Sequence, residues 1–233
     1  SPSEVELAQR FCNDADTLGK RAFAFVWSYG WGAVEKDPAT GKASVTGFTA
    51  LPHFDASSKR WTPGKAFPDK EHGHLYLAPG NGHPGGTGKS AIMQWTSPLA
   101  GEKIRVTGAV KRSSDKGNGV RAWIISNHAG ALKEVFIKPA SSSEIAVETT
   151  VQEGEVLSFV VEAENGDTNS DSYSWAPRIE RLDPVTGQAV LLTKSDTDFC
   201  GPAGWPLNRE KPQSALAQLA QVLLMSNEFQ FVD

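Results

Sequence analysis

The chain has 233 residues, a net charge of −4 and basic residues scattered along its length, so it lacks the basic patch of a nucleic-acid-binding surface. No apolar run reaches the ~18 residues of a membrane-spanning helix, and the sequence therefore predicts no membrane insertion. Seven tryptophans and 22 glycines are typical of a turn-rich β protein with aromatic residues in its core.

Residues 1–22 predict a helical flank. Ser3 and Glu6 have the spacing of a capping box, and apolar residues recur at helical spacing after them. From Phe23 to Trp31 the pattern changes, because aromatic residues now alternate with smaller ones at the period of a β-strand. The chain begins without a methionine or a signal peptide, so we expect it to be part of a longer protein.

Residues 23–183 predict an antiparallel β-sandwich of the jelly-roll type. Short β-rich runs follow one another at roughly ten-residue spacing, separated by Gly, Asn and Asp turns. Residues 52–88 interrupt them with a region dominated by loops. After this region, seven β-rich runs follow: Ser90–Trp95, Lys103–Arg112, Val120–Asn127, Leu132–Ile137, Ser143–Thr150, Val156–Ala163 and Ser172–Asp183. Together with two early strands, these runs give the strand count of a jelly roll.

Residues 184–233 predict an irregular linker followed by a C-terminal amphipathic helix, so the fold class is all-β with an α-helix at each end. The helix extends from Pro212 to Asn227 and carries a leucine-rich stripe. That stripe packs either on the N-terminal helix or on a neighbouring domain. Cys12 and Cys200 lie in the two flanks, where they either form a disulfide that joins the ends or remain two buried thiols.

Several segments resemble the C-terminal part of the large cytochrome-c-containing multidomain proteins of planctomycetes and verrucomicrobia. The tail Leu219–Asp233 resembles the extreme C-terminus of those proteins, and weaker similarities follow in order along the chain at Trp27-x-Tyr29-Gly30-x-Gly32, Leu51–Phe54, Gly82–Gly85, Trp95–Pro98, Gly119–Arg121 and Asp171–Pro177. The resemblance implies a carbohydrate-binding-like sandwich domain in an exported protein, whether secreted, periplasmic or at the cell surface. The chain has no Cys-x-x-Cys-His haem attachment of its own.

A sugar presents an apolar face that stacks on aromatic rings and hydroxyls that need polar partners, and small-molecule sites combine these two features. Trp61 lies beside Arg60 in the loop region and is predicted to be the stacking platform. His53, Asn81 and His83 are predicted to supply the polar contacts. Replacing Trp61 with Ala is then expected to remove most binding and to leave the thermal midpoint nearly unchanged. The strand patterns place four other tryptophans in the core: Trp27, Trp95, Trp123 and Trp175.

Two groups of residues suggest metal ions. Glu162, Glu164 and Asp167 could supply oxygen ligands to a structural calcium ion, or they could form a solvated hairpin tip. Loop histidines could converge on zinc or copper, or they could cap turns and bind backbone carbonyls; they are His53, His72, His74 and His83.

The sequence as a whole favours a non-catalytic module that binds a polysaccharide or oligosaccharide and belongs to an exported multidomain protein. The main alternative is a structural domain that docks the other domains of its parent protein. A hydrolase or polysaccharide lyase is a third possibility, although no spacing selects its residues; the candidates are the carboxylates Asp55, Asp69 and Glu71, and the set His53, His74, Tyr76 and Arg121.

Overall fold

The computed structural model describes residues 27–204, 206 and 207, which form β-strands, loops and one turn of 3-10 helix at Glu164–Gly166 but no α-helix. The predicted terminal helices and Cys12 lie outside the described residues. The strands are β1 (Trp27–Lys36), β2 (Ala43–Ala50), β3 (His53–Asp55), β4 (Arg60–Thr62), β5 (Tyr76–Ala78), β6 (Asn81–His83), β7 (Ser90–Thr96), β8 (Glu102–Lys111), β9 (Val120–Ser126), β10 (Gly130–Ile137), β11 (Ser142–Val151), β12 (Val156–Ala163), β13 (Tyr173–Ser174), β14 (Arg178–Leu182) and β15 (Ala189–Lys194).

The first sheet has six antiparallel strands in the order β10-β9-β12-β7-β1-β2. Its central strands β7, β9 and β12 are buried along almost their whole length. Both faces of these strands are covered, because one face contributes to the main core and the other to a smaller apolar cluster that includes Ile92, Trp123 and Val160. These strands therefore read as nearly continuous apolar runs in the sequence.

The second sheet is also antiparallel and follows the order β15-β14-β8-β13-β6-β5-β4-β3, with β11 paired to β8. Its longest ladder joins β8 and β11 over ten residue pairs, from Lys111 opposite Ser142 to Glu102 opposite Val151. The loop region between residues 52 and 88 contributes the short strands β3 to β6 to this sheet. The fold thereby carries a small antiparallel ladder at the point where the sequence predicts only loops.

Side chains from both sheets meet in one core. Phe159 in β12 lies between Trp27 and Trp175, with ring centres 5.3 Å and 5.6 Å apart. All four tryptophans predicted to be core residues are at most 3% exposed, which confirms that prediction. Two antiparallel sheets that share a core form a β-sandwich, so the predicted all-β sandwich is confirmed.

The nine-stranded sheet continues past residue 183, where the sequence analysis placed the end of the sandwich. β15 pairs with β14, and the buried Thr193 in β15 accepts a hydrogen bond from Trp27 Nε1 at 2.9 Å. Thr193 Oγ1 in turn donates to Asp198 Oδ2 at 2.7 Å. This buried polar chain holds residues 189–198 against the first sheet. No helix in the described part of the chain is long and apolar enough to cross a membrane.

Candidate functional site

The loop region is ordered by short turns that carboxylates stabilise. Asp55 accepts hydrogen bonds from Ser57 and Ser58, and these bonds hold the pKa of Asp55 far below its usual value. Asp69 accepts hydrogen bonds from the backbone of Glu71 and from the backbone and ring of His72, and its pKa is also lowered. Both carboxylates serve the local fold, and neither is among the described residues that line the two cavities below.

Trp61 fastens this ladder to the core of the sandwich. Its ring lies 5.1 Å from that of Phe54 and is stacked on Tyr29 at 6.3 Å. Trp61 Nε1 donates to Cys200 O at 2.8 Å, while Cys200 N donates to the hydroxyl of Tyr29 at 3.0 Å. The predicted platform residue is therefore half-buried against protein, and it lines neither of the two cavities described below.

Arg60 and His53 also support the ladder. The Arg60 guanidinium lies 3.9 Å from the centre of the Phe67 ring and 3.7 Å from Asp55 Oδ2. His53 Nδ1 is hydrogen-bonded to Thr62 Oγ1 at 3.1 Å. Arg60 therefore packs on Phe67, a ring that lines the cavity described next.

A cavity of ≈ 520 Å³ lies beside the short strands. Phe67, His74, Tyr76 and His83 line one part of it, and residues 167–170 together with Ser172 line the rest. Its volume falls within the range of about 300–1,000 Å³ that is typical of small-molecule sites. Of the five predicted ligand contacts, His83 is among the described residues that line this cavity. Asn81 begins the same strand but is exposed, and its Nδ2 donates to Pro79 O at 3.2 Å.

The aromatic rings of the cavity wall pack against one another edge-on or tilted. Phe67 meets His74 edge-on at 5.6 Å and Tyr76 edge-on at 6.0 Å, and His74 lies 5.7 Å from His83. Such edge-to-face contacts are favourable between aromatic rings and fix their orientation. The wall is therefore a rigid aromatic surface with imidazole and phenol groups that can form hydrogen bonds.

A buried ion pair supports the loop at residues 167–170, which lines the other part of the cavity. Arg112 Nη2 lies 2.9 Å from Asp171 Oδ1, and neither side chain is exposed to solvent. The same nitrogen donates to Lys116 O at 2.8 Å and to Ser170 O at 2.7 Å. Burial raises the pKa of Asp171 to about 6, and the charge on Arg112 opposes this shift. Arg112 thus fixes the loop that supplies the polar half of the cavity.

His83 is 6% exposed, and its Nδ1 donates to Pro84 O at 2.7 Å. Burial lowers its pKa below the usual 6.5, although backbone hydrogen bonds to Pro84 and Thr168 partly oppose the shift. A histidine with a lowered pKa in the folded state takes up a proton less readily than in the unfolded chain. Its contribution to stability is therefore complete above about pH 6.5 and is lost as the pH falls below that value.

We accordingly expect His83→Gln to weaken the fall in unfolding free energy between about pH 7 and pH 5. Urea unfolding of both proteins across this range measures the difference. Asp171, whose raised pKa makes a contribution of opposite sign, is present in both proteins and cancels in that difference. An unchanged pH slope would contradict the assignment of His83 as a buried, neutral imidazole.

The predicted calcium ligands have other partners. Arg121 Nη2 donates to both oxygens of Glu164, at 3.1 Å and 3.0 Å, and Trp123 Nε1 donates to Glu162 at 2.9 Å. Asp167 lines the aromatic cavity, and its Oδ1 accepts from the backbone N–H of Asn169. Among the described residues, no three His, Cys, Asp or Glu side chains are grouped so that they could hold a metal ion. This finding applies to the four loop histidines as well. The structure therefore does not assemble the predicted calcium site.

Most residues that give the cavity its character were not predicted as ligand contacts. Phe67 is not among the predicted site residues, residues 168–170 follow the predicted calcium ligand Asp167, and Ser172 begins the predicted strand Ser172–Asp183. His74 and Tyr76 were named only for other roles. The signal available was the Asp171-Ser172-Tyr173 segment, because β13 pairs with β6 and so brings that turn next to His83.

No model of a known protein family matches the sequence, and no curated protein matches it. Among solved structures, the chain is similar to the CBM51-2 and INT domains of Clostridium perfringens ZmpB in complex with GlcNAc, with 14% identity and a TM-score of 0.28. This match covers 38% of the present chain and only 21% of that one.

Two further structures are similar at the same level. A CBM51 from Clostridium perfringens GH95 in complex with methyl-galactose has 10% identity and a TM-score of 0.28, covering 51% of this chain and 74% of that one. A CBM4 structure has 13% identity and a TM-score of 0.27, covering 71% and 92%. TM-scores this low carry no argument about function, which has to rest on the cavity itself.

Proposed function

We propose that this chain is a non-catalytic carbohydrate-binding module that takes a neutral sugar in the aromatic cavity. The observation that carries the proposal is the pairing of a rigid aromatic wall, Phe67 and Tyr76, with a facing loop of hydroxyl and amide groups at residues 168–170. Aromatic rings suit the C–H face of a pyranose, and hydroxyl and amide side chains suit its hydroxyls.

The charges at the cavity favour a neutral ligand. None of its described lining residues is Lys or Arg, and Asp167 contributes a carboxylate. A uronic acid or sulfated sugar would bring its negative charge next to Asp167 with no cation in the wall to compensate. The guanidiniums behind the wall already face carboxylates, because Arg60 lies over Phe67 beside Asp55 and Arg112 is paired with the buried Asp171.

The wider setting of the module belongs to the same proposal. The sandwich would be of the jelly-roll type and part of an exported multidomain protein, in contact with the other domains of that protein and with a polysaccharide outside the cytoplasm. This part is supported by the resemblance of the sequence segments described above. The cavity geometry supports the sugar-binding part independently.

Replacing Phe67 or Tyr76 with Ala is expected to lower the affinity for a bound glycan at least tenfold, which is about 1.4 kcal/mol. A microarray of neutral and acidic glycans identifies the ligand class for the wild type, and calorimetry with that ligand measures each variant. Val185→Ala is the matched control, because Val185 is 90% exposed in a turn and lies outside the cavity. Wild-type protein that binds no glycan on a broad array would sink the proposal.

A polysaccharide lyase is the second candidate, since His74, Tyr76 and His83 line one cavity. Two features oppose it. Burial raises the pKa of Tyr76, so less of its side chain is present as the phenolate that would act as the base, and the described wall contains no Lys or Arg to neutralise a uronate. Ultraviolet absorbance by unsaturated products, measured during incubation with polyuronates, would reveal this activity. We expect none, and the His74→Ala variant would identify the base if activity appeared.

A further inference from the structure

A second cavity, of ≈ 510 Å³, lies next to the aromatic one. It is lined by polar side chains that include Thr87, Ser90, Arg121, Glu162, Glu164 and Asn165. No aromatic ring is among its described lining residues, so it offers hydrogen bonds without a stacking surface. The two cavities are lined by consecutive parts of one segment, because Gly166 lines the polar cavity and Asp167 lines the aromatic one.

Small residues line the end of the polar cavity where the chain passes on to Asp167: Gly86, Thr87 and Gly166. Thr87 approaches Gly166 so closely that a Cβ on Gly166 would overlap the threonine hydroxyl. A Cβ on Gly86 would lie 3.9 Å from Gly166 O. Gly166 also has a φ of 75°, a conformation that favours glycine. The end of the polar cavity that adjoins Asp167 along the chain therefore carries no large side chain at these three positions.

The shared wall, residues 164–170, is fixed at both ends. Asn118 Nδ2 donates to Glu164 O at 2.7 Å, and Arg112 Nη2 donates to Ser170 O at 2.7 Å. Both cavities are consequently present before a ligand arrives. A ligand that spans them does not have to order the wall, which reduces the cost of binding.

The polar cavity presents acceptors that are held in place. The Arg121 guanidinium bridges Glu164 and Glu134, and Trp123 holds Glu162. A carboxylate has about four acceptor positions, so each glutamate retains lone pairs after these contacts. Sugar hydroxyls are donors that match them, and the Thr87 and Ser90 hydroxyls add groups that both donate and accept. The polar cavity therefore suits a further sugar of a chain whose first sugar is held in the aromatic cavity.

We infer that the two cavities are neighbouring subsites for one neutral oligosaccharide chain, which binds with one sugar against the aromatic wall and the next ones past Asp167 in the polar cavity. This inference rests on the proposed function and names its ligand more closely. The module recognises the interior of a chain rather than a single terminal sugar. Most of the affinity comes from the aromatic subsite, and the preference for longer chains comes from the polar subsite.

The test uses calorimetry with gluco-, manno- and galacto-oligosaccharides from monosaccharide to hexasaccharide. In the series that binds, we expect the affinity to rise at least tenfold with chain length before it levels off. Glu164→Gln is expected to remove most of that rise and to leave the affinity for the shortest binding sugar unchanged. Glu134→Gln is the matched control, because Glu134 also accepts from Arg121 but does not line the cavity.

The failures of the two proposals are distinguishable. An affinity that is already complete with a monosaccharide, or a Glu164→Gln variant that keeps the full length dependence, overturns the two-subsite inference and leaves the carbohydrate-binding proposal standing. The absence of binding to sugars of every length overturns both. Equal losses for Glu164→Gln and Glu134→Gln would place the effect in the position of Arg121 and overturn the role assigned to the polar cavity.

Discussion

Replacing Arg112 with Met is expected to lower the free energy of unfolding by about 3–5 kcal/mol, because it leaves the buried Asp171 carboxylate without its cation. The same change removes the donor to Lys116 O and Ser170 O. Ser170 belongs to the polar wall of the aromatic cavity, so glycan affinity should fall together with stability. Urea unfolding measures the first effect, and calorimetry at a temperature where the variant remains folded measures the second.

Arg105→Met is the matched control for Arg112→Met. Arg105 also forms an ion pair, with Glu148 at 2.8 Å, but its side chain is 40% exposed. An exposed pair contributes less than about 1 kcal/mol, so this variant should unfold almost like the wild type. Combining Arg112→Met with Asp171→Leu should recover part of the lost stability, since no unpaired buried charge then remains. A loss below about 1 kcal/mol for Arg112→Met alone would contradict this account.

The sandwich strands were predictable because they are long and their patterns are local. β8 and β11 carry branched apolar residues at every second position over part of their length, Ile104 and Val106 in β8 and Ile145 and Val147 in β11, and glycine turns mark several of the strand ends. The strands β3 to β6 have three residues each, which is too short for a period to be visible. β15 contains the run Ala-Val-Leu-Leu, whose unbroken apolar character does not show the alternation that marks a strand.

The candidate site was less predictable, because it depends on which strands are neighbours. Glu162 and Glu164 have the local spacing of metal ligands, but β12 pairs with β9 and places Glu162 opposite Arg121. No local pattern reveals that pairing. Phe67 and Ser172 are more than a hundred positions apart in the sequence and line the same cavity only because β13 joins β6. His83, the predicted ligand contact that lines the cavity, lies in the glycine-rich segment Gly80-Asn81-Gly82-His83-Pro84-Gly85-Gly86, which is visible in the sequence itself.

Trp61→Ala, finally, is expected to lower the free energy of unfolding by about 2–4 kcal/mol. Fully buried large aromatics lose about 3–5 kcal/mol when truncated to alanine, and Trp61 is half-buried. Its removal opens a void beside Tyr29 and Phe54 and leaves Cys200 O without the indole donor. For a domain of this size the thermal midpoint should fall by roughly 5–15 °C, in contrast to the unchanged midpoint expected from the sequence.

Trp61→Phe keeps a ring against Tyr29 but removes the hydrogen bond to Cys200 O, at a cost of about 1 kcal/mol, together with part of the packed indole. Its loss of stability should therefore be smaller than that of Trp61→Ala. Glycan affinity distinguishes the two interpretations of Trp61. If Trp61 were an open platform, the alanine variant would lose most of its glycan binding while the protein stayed stable. If Trp61 instead anchors the ladder, the alanine variant loses stability, and the protein that remains folded binds glycan through Phe67 and Tyr76 almost as before. A stable Trp61→Ala variant that no longer binds would restore the platform and move the site away from the aromatic cavity.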